Sequence, residues 1–364
     1  MNDKQKNIFI FGTPKPVLRI LIKILISSYN VFFVGYEDYR QYHKIKEMLV
    51  DNAYNINRKI KIKELFQIPL KFLKSKPKIV IIFGNRAIKN GIILLFTRFI
   101  FPKTKIVFFP YDICQYSFIR EVKYRILGRL TFFFDRICYE KSDKVITKGF
   151  ENELRYLKGI YKINKKEHFA FNQLIEKEHL VDKKNISINP EKIQLVYIGG
   201  ISNSVNNMNN YKIFENLLQN KNMVLHIYSN MSNMLDGLKE KEKLVIHDHI
   251  KDHKELIKEI SKYDFGLNLF EPSKNDFLQC KMASAIKNYD YFAAGLPVIV
   301  DSEHESMANI ISKNKIGFEI RSKDIEDIEK YIMNCNYKEL IENVDIYRNN
   351  MLVKESRIIE FLES

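Results

Sequence analysis

Short runs of apolar, largely β-branched residues return along this chain with a helix-length segment after each one. That rhythm constrains its fold more than any other feature. Asn7–Phe11, Val31–Val34, Lys78–Phe83, Lys105–Phe109 and Lys144–Thr147 read as strands, with Lys59–Leu65 a further candidate. Helical periodicity covers Pro16–Tyr29, Asp38–Asn52, Ile88–Phe101, Phe118–Lys141 and a segment from Glu151. Strands this uniformly apolar are buried on both faces, which calls for a mostly parallel sheet between two helical layers. Residues Lys162–Pro190 are polar and irregular, with the aromatic run His168–Phe171 inside them. The rhythm then restarts at Ile193–Ile198 and continues through Val224–Tyr228, Leu244–His247, Phe265–Leu269, Val298–Val300 and Gly317–Ile320. Helical segments at Asp324–Ile332 and Tyr337–Leu362 close the chain.

The expected fold is therefore α/β, with two tandem Rossmann-like, doubly wound domains facing across a cleft. A length of 364 residues suits two domains. The boundaries are expected at 1–182 for the first domain and 183–345 for the second, with 346–364 a helix crossing back to the first. Ligands of such sheets bind beyond the carboxyl ends of the strands. That rule directs attention to Thr13 and Lys15, to Asp112, to Gly199, Gly200 and Ser202, and to Tyr228 and Ser229.

Charge divides the chain as sharply as the strands do. Residues 1–180 hold 35 Lys and Arg against 16 Asp and Glu, a net of +19, and the remainder hold 24 against 28. A basic first half implies an anionic partner. Two of its helices, Ile88–Lys105 and Tyr124–Lys141, combine cations with Leu94, Leu95, Phe96, Phe99 and Phe132-Phe133-Phe134. They could dock on an anionic bilayer, or their apolar faces could pack on the sheet. No recognisable nucleic-acid module accompanies the charge, so nucleic acid is not the expected partner. No apolar run reaches the roughly 18 residues of a spanning helix, and the run after Asn7 is too short for a signal peptide. The scattered cysteines Cys114, Cys138, Cys280 and Cys335 read as reduced thiols.

Several kinds of chemistry are excluded by what the strand ends lack. Neither G-x-G-x-x-G nor the P-loop pattern occurs. His247, Asp248, His249 and His253 lack the spacing of a metal centre and read as solvated loop residues. Gly199-Gly200 lets backbone amides approach a phosphate, although a tight turn explains the pair equally well. Asp112 follows an apolar strand, where partial burial would make it a general base or the local turn would use it as a cap.

Lys281–Asp301 carries the most informative pattern. A helix of good formers runs into Ala293-Ala294-Gly295, then Pro297 and the buried-type strand Val298–Val300. Lys287 and Asp290 share one helical face, as a surface ion pair or as a grip on a phosphate and a ribose hydroxyl. The run Ala285–Ile299 (AIKNYDYFAAGLPVI) resembles the donor-lobe signature P-x-K-x-x-E-Y-L-A-A-G-x-P-V-I of GT-B glycosyltransferases of surface-glycan assembly. Ala285, Asp290 and Phe292 depart from it. The resemblance implies a nucleotide-sugar donor such as a UDP- or GDP-sugar, with Lys287 on the diphosphate and Asp290 on the ribose. It implies a lipid-linked or surface-glycan acceptor and an enzyme at the cytoplasmic face of the membrane, with no cofactor. Tyr111-Asp112 fits the acceptor lobe of that family. Retaining relatives commonly carry a glutamate eight positions before the ribose-binding acid, where this chain has Met282. An inverting, metal-independent reaction with Asp112 as base is the resulting expectation. The alternatives are a nucleotide-sugar epimerase and a non-catalytic subunit binding a nucleotide sugar or membrane.

Overall fold

The computed structural model describes residues 6–35, 40–49, 52–55, 72–84, 86–110, 125–148, 150–161, 163, 167–171, 175–183, 187–201, 210–229, 232–238, 242–270, 281–282, 285–352 and 354–364. The chain divides into two compact units, Met1–Asn172 with Lys354–Ser364, and Gln173–Val353.

The first unit alternates β1 (Asn7–Gly12), α1 (Pro16–Leu25), β2 (Asn30–Gly35), α2 (Arg40–Leu49), β3 (Ala53–Asn55) and β4 (Ile79–Phe83). It continues through α3 (Ala87–Ile100), β5 (Lys105–Phe109), α4 (Arg125–Lys141), β6 (Lys144–Thr147), α5 (Glu151–Tyr161) and β7 (Glu167–Ala170). The sheet order is β3-β2-β1-β4-β5-β6-β7 with every pairing parallel. Each residue of β4 is buried, as a central strand covered on both faces must be. Lys59–Leu65, one candidate strand of the sequence reading, lies outside the described residues, and the edge position is taken by Ala53–Asn55.

One segment corrects the sequence reading. Glu167–Ala170, expected within an irregular linker, is the edge strand β7. Three of its four residues are exposed, so it carries no apolar run to announce it.

The second unit runs β8 (Ile193–Ile198), α6 (Tyr211–Leu217), β9 (Met223–Tyr228), β10 (Leu244–His247), α7 (His253–Ile260) and β11 (Phe265–Asn268). After these come α8 (Ile286–Ala293), β12 (Val298–Asp301), α9 (Glu305–Asn314), β13 (Gly317–Ile320), α10 (Ile328–Asn334) and α11 (Tyr337–Asn350). Its order is β10-β9-β8-β11-β12-β13, again parallel throughout. Val298, Ile299 and Val300 are wholly removed from solvent, each side chain contributing about 1.5–3 kcal/mol. Helix α8 ends in a Schellman arrangement. Gly295 takes φ +76°, its amide donates to the Phe292 carbonyl (2.9 Å), and the Leu296 amide donates to Tyr291 (2.9 Å).

The terminal helical stretch is broken rather than continuous. Helix α11 stops at Asn350, Leu352 bridges to Ile175, and α12 (Glu355–Glu363) belongs to the first unit. Lysines fix its carboxyl end: Lys144 donates to the Phe361 carbonyl (2.5 Å) and Lys105 to Leu362 (3.0 Å), while Lys6 pairs with Glu363 (2.7 Å). Cations at the unpaired carbonyls of a helix end satisfy both hydrogen bonding and the macrodipole.

Candidate active site

In each sheet the direction of strand progression reverses between two neighbours, β1 and β4 in the first unit, β8 and β11 in the second. Crevices open at such switch points. In the second unit the opening has a specific cause. Strands β8 and β11 pair only at Phe265–Leu195 and Gly266–Val196, then separate. The Tyr291 hydroxyl, wholly buried, takes up the groups this leaves: it accepts from the Ile198 amide (3.1 Å) and donates to the Leu267 carbonyl (3.0 Å). One turn earlier on α8, on the same face, stands Lys287.

Lys287 extends over the Tyr197 ring, its Nζ 4.0 Å from the ring centre. Tyr197 is itself fixed, its hydroxyl donating to the Gly200 carbonyl (2.6 Å). Gly199 adopts φ +119°, where a side chain would be strained, and a Cβ placed there would lie 3.7 Å from Lys287 Nζ. The ammonium, the aromatic ring and the exposed Gly199-Gly200 turn therefore form one small constellation. No carboxylate pairs with Lys287 among the described residues.

Lys287 and Asp290 do not form the surface ion pair that their spacing permits. The Asp290 carboxylate instead accepts from His253 Nε2 at 2.8 Å, and His253 packs edge-to-face on His179 with ring centres 4.8 Å apart. The reading of His253 as a solvated loop residue is thus corrected, since it opens α7 and holds Asp290. His247 is corrected too. It ends β10, stacks on Tyr228 with ring centres 4.3 Å apart, and meets His226 at 3.0 Å between ring nitrogens. Burial depresses the pKa of both imidazoles, that of His226 to about 4. His249 is exposed.

Tyr228 and Ser229 lie at the carboxyl end of β9 and are buried. The Tyr228 hydroxyl is engaged by Tyr263 (2.7 Å), which ties its side chain to the histidine cluster rather than to Lys287. Ser202 and Asp112 lie outside the described residues. In the first unit Thr13 is buried beside Gly84, whose added Cβ would be 3.8 Å from Thr13 Oγ1, and Lys15 precedes α1 as its cap residue.

A further pair was missed from the sequence. His304, 2% exposed, accepts at Nδ1 from Asn268 Nδ2 (3.3 Å) and packs on Phe270 with ring centres 3.7 Å apart. Its Nε2 and the Asn268 Oδ1 have no partner among the described residues. Burial, and then the charge of Lys287, push the imidazole down to about 3. Both residues follow or end strands, β12 and β11. Carrying the strand-end rule through to Asp301–His304 would have found the histidine.

Residues 202–354 match the model of the family described as Glucosyltransferase 3-like, C-terminal domain. That match falls within the second unit except for its last residue and is to a glycosyltransferase domain. The whole chain shares its two-unit fold with solved GT-B structures. Sucrose-phosphate synthase from Thermosynechococcus elongatus superposes with a TM-score of 0.69 at 10% identity, over 99% of this chain and 98% of that one. Anabaena HepE in complex with UDP and glucose gives 0.65 at 11% identity, over 98% and 99%. TarM gives 0.62 at 10% identity, over 98% of each. A search of curated protein sequences returns no match. The expected two Rossmann-like sheets are thus the observed fold, and the motif around Lys287 falls inside the matched domain. Among the described residues no group of His, Cys, Asp or Glu could hold a metal ion, and no helix is long and apolar enough to cross a membrane.

Proposed function

We propose that the chain moves a sugar from a nucleotide-sugar donor to a hydroxyl of a lipid-linked or surface-glycan acceptor. The single observation that carries this is the Lys287 ammonium, in a segment that matches a glycosyltransferase family model and without a carboxylate partner among the described residues, held over Tyr197 beside the Gly199-Gly200 turn. A cation next to accessible backbone amides is suited to a diphosphate. Asp290 would take the ribose through the oxygen that His253 leaves free, the histidine orienting the carboxylate. UDP in the HepE crystal supports uridine diphosphate as the first probe.

The reaction is proposed to invert the anomeric centre. The acceptor oxygen forms its bond to the anomeric carbon as the bond to the diphosphate oxygen breaks. Asp112 takes the hydroxyl proton, and Lys287 with the glycine amides stabilises the negative charge that builds on the leaving diphosphate. These groups meet the phosphate charge without a metal. The enzyme would work at the anionic inner face of the membrane, to which the +19 first half is attracted.

A melting-temperature screen of nucleoside diphosphates and their sugars tests this. A ligand at 100 times its Kd stabilises the folded state by about 2.7 kcal/mol, a shift of several degrees. Release of nucleoside diphosphate on adding acceptor would separate transfer from mere binding. If no nucleoside diphosphate or nucleotide sugar moves the transition, the donor reading is wrong.

A further inference from the structure

Two adjacent helices of the first unit turn large apolar side chains outward. The face of α3 turned inward carries Ala87, Asn90, Gly91, Leu94 and Thr97. The outward face carries Ile92, Leu95, Phe96 and Phe99, at positions one helical turn apart, and Phe99 is 88% exposed. Helix α4 does the same over Leu130–Asp135, although Cys138 and Tyr139 further along it are buried. Thr131 and Asp135 are buried, the Asp135 carboxyl accepting from the Tyr161 hydroxyl, while Leu130, Phe132 and Phe133 are exposed. The helices approach closely, because a Cβ on Gly91 would fall 2.4 Å from the Phe134 ring. Their exposed apolar side chains therefore belong to neighbouring elements. An apolar surface of this kind, unused by the core, marks a contact with something else.

The charges around it indicate what that is. Lys89, Arg98, Lys103, Arg129, Arg136 and Lys141 lie on these helices and the turn after α3. The only acidic residues on α3, that turn and α4 are Asp135, which is buried, and Glu140, which is paired with Arg136 at 2.7 Å. Arg98 is anchored by Asp143 (2.6 Å) and by the Thr104 carbonyl (3.0 Å). Aromatic and aliphatic side chains flanked by cations, with no free carboxylate on these two helices, complement an anionic lipid surface. A second copy fits poorly, since a two-fold contact through this face would set its cations against each other.

We propose that the outward face of α3 and α4 is the membrane-docking surface, with Phe99 and Phe133 entering the bilayer and the flanking cations at lipid phosphates. This rests on the membrane reading given above and adds the face responsible.

The test is flotation of the full chain with vesicles of phosphatidylcholine containing about 30% phosphatidylglycerol, against phosphatidylcholine alone. The Phe99→Ser/Phe133→Ser variant removes apolar surface without changing charge, and both positions are more than half exposed. Wild type should float with the anionic vesicles, less so at high salt, and the variant should bind about tenfold or more weakly at an unchanged melting temperature. Equal flotation of the two proteins refutes this face while leaving membrane binding intact. Failure of wild type to float refutes both. A wild-type dimer that becomes a monomer in the variant, without flotation of either, would make the face an interface between copies and overturn the lipid assignment.

Discussion

Removing the Lys287 side chain should separate the diphosphate from the rest of the donor. Among the described residues the ammonium has no carboxylate partner, and it lies over the Tyr197 ring. Lys287→Ala therefore removes about 1 kcal/mol of cation–π attraction from the free protein and leaves no buried charge behind. In the complex it removes a charge-assisted hydrogen bond to phosphate, worth about 2–3 kcal/mol at a partly buried site. The expected loss of UDP affinity is about 30- to 150-fold. Uridine, which lacks the diphosphate, supplies the control, because its weaker binding should be nearly unchanged. Titration calorimetry with UDP and uridine on both proteins measures all four affinities. A UDP affinity within about twofold of wild type would refute the phosphate role. Equal losses for UDP and uridine would refute it too, since the substitution would then be distorting the pocket rather than deleting a contact.

The other expectations follow from the same crevice and from Asp112. Gly199→Ala forces a side chain onto φ +119°, which costs about 1–3 kcal/mol, so a lower melting temperature and weaker UDP binding are expected; an unstrained, fully binding variant would contradict the turn's role. Asp112→Asn should lower turnover by about a hundredfold or more while UDP still binds as in wild type, and near-normal turnover would remove Asp112 from the mechanism. His304 is depressed to about 3 in the folded protein, so on acidification the unfolded chain takes up its proton first, at its ordinary 6.5. Stability is full above that value and declines as pH falls toward 3, by about 2 kcal/mol at pH 5 from this residue. Urea unfolding at pH 7.5 and pH 5 should show a smaller pH effect in His304→Gln, and an unchanged difference would mean that the imidazole does not titrate this way.

The sheets were legible because buried parallel strands must be apolar along their whole length. Ile193–Ile198 and Lys105–Phe109 were read to the residue. The signal failed where burial failed, at β7, whose exposed residues have nothing to alternate against. It failed again after Asn350, where helical residues resume only a few positions later and hide the break between α11 and α12. At the site, Lys287 and Gly199 could be found because a helix spacing and a strand end each carry a local rule. The partnership of Asp290 with His253 could not, since it joins two helices through residues 37 positions apart. Asn268 and His304 could be reached by the strand-end rule, but nothing in the sequence marks them as left without partners among the described residues.

Helix α3 shows why such limits are physical rather than a matter of pattern. Periodicity in Ala87–Ile100 identifies two faces but not which one turns inward. Leu94 and Thr97 lie on one, Leu95, Phe96 and Phe99 on the other, and bulk alone would bury the second. Close approach decides otherwise. The space beside Phe134 admits only the hydrogen of Gly91, and Asn90 is drawn inward by a hydrogen bond to the Gly84 carbonyl (2.8 Å). Gly84 follows β4 at the first unit's switch point, beside Thr13. Its bond to Asn90 thus helps to turn Phe99 outward. Replacing Asn90 with leucine should strand the Gly84 carbonyl and destabilise the unit by about 1–3 kcal/mol despite adding apolar bulk to its interior. A stabilised Asn90→Leu variant, read by urea unfolding, would show that hydrophobic burial and not this hydrogen bond sets the orientation of the helix.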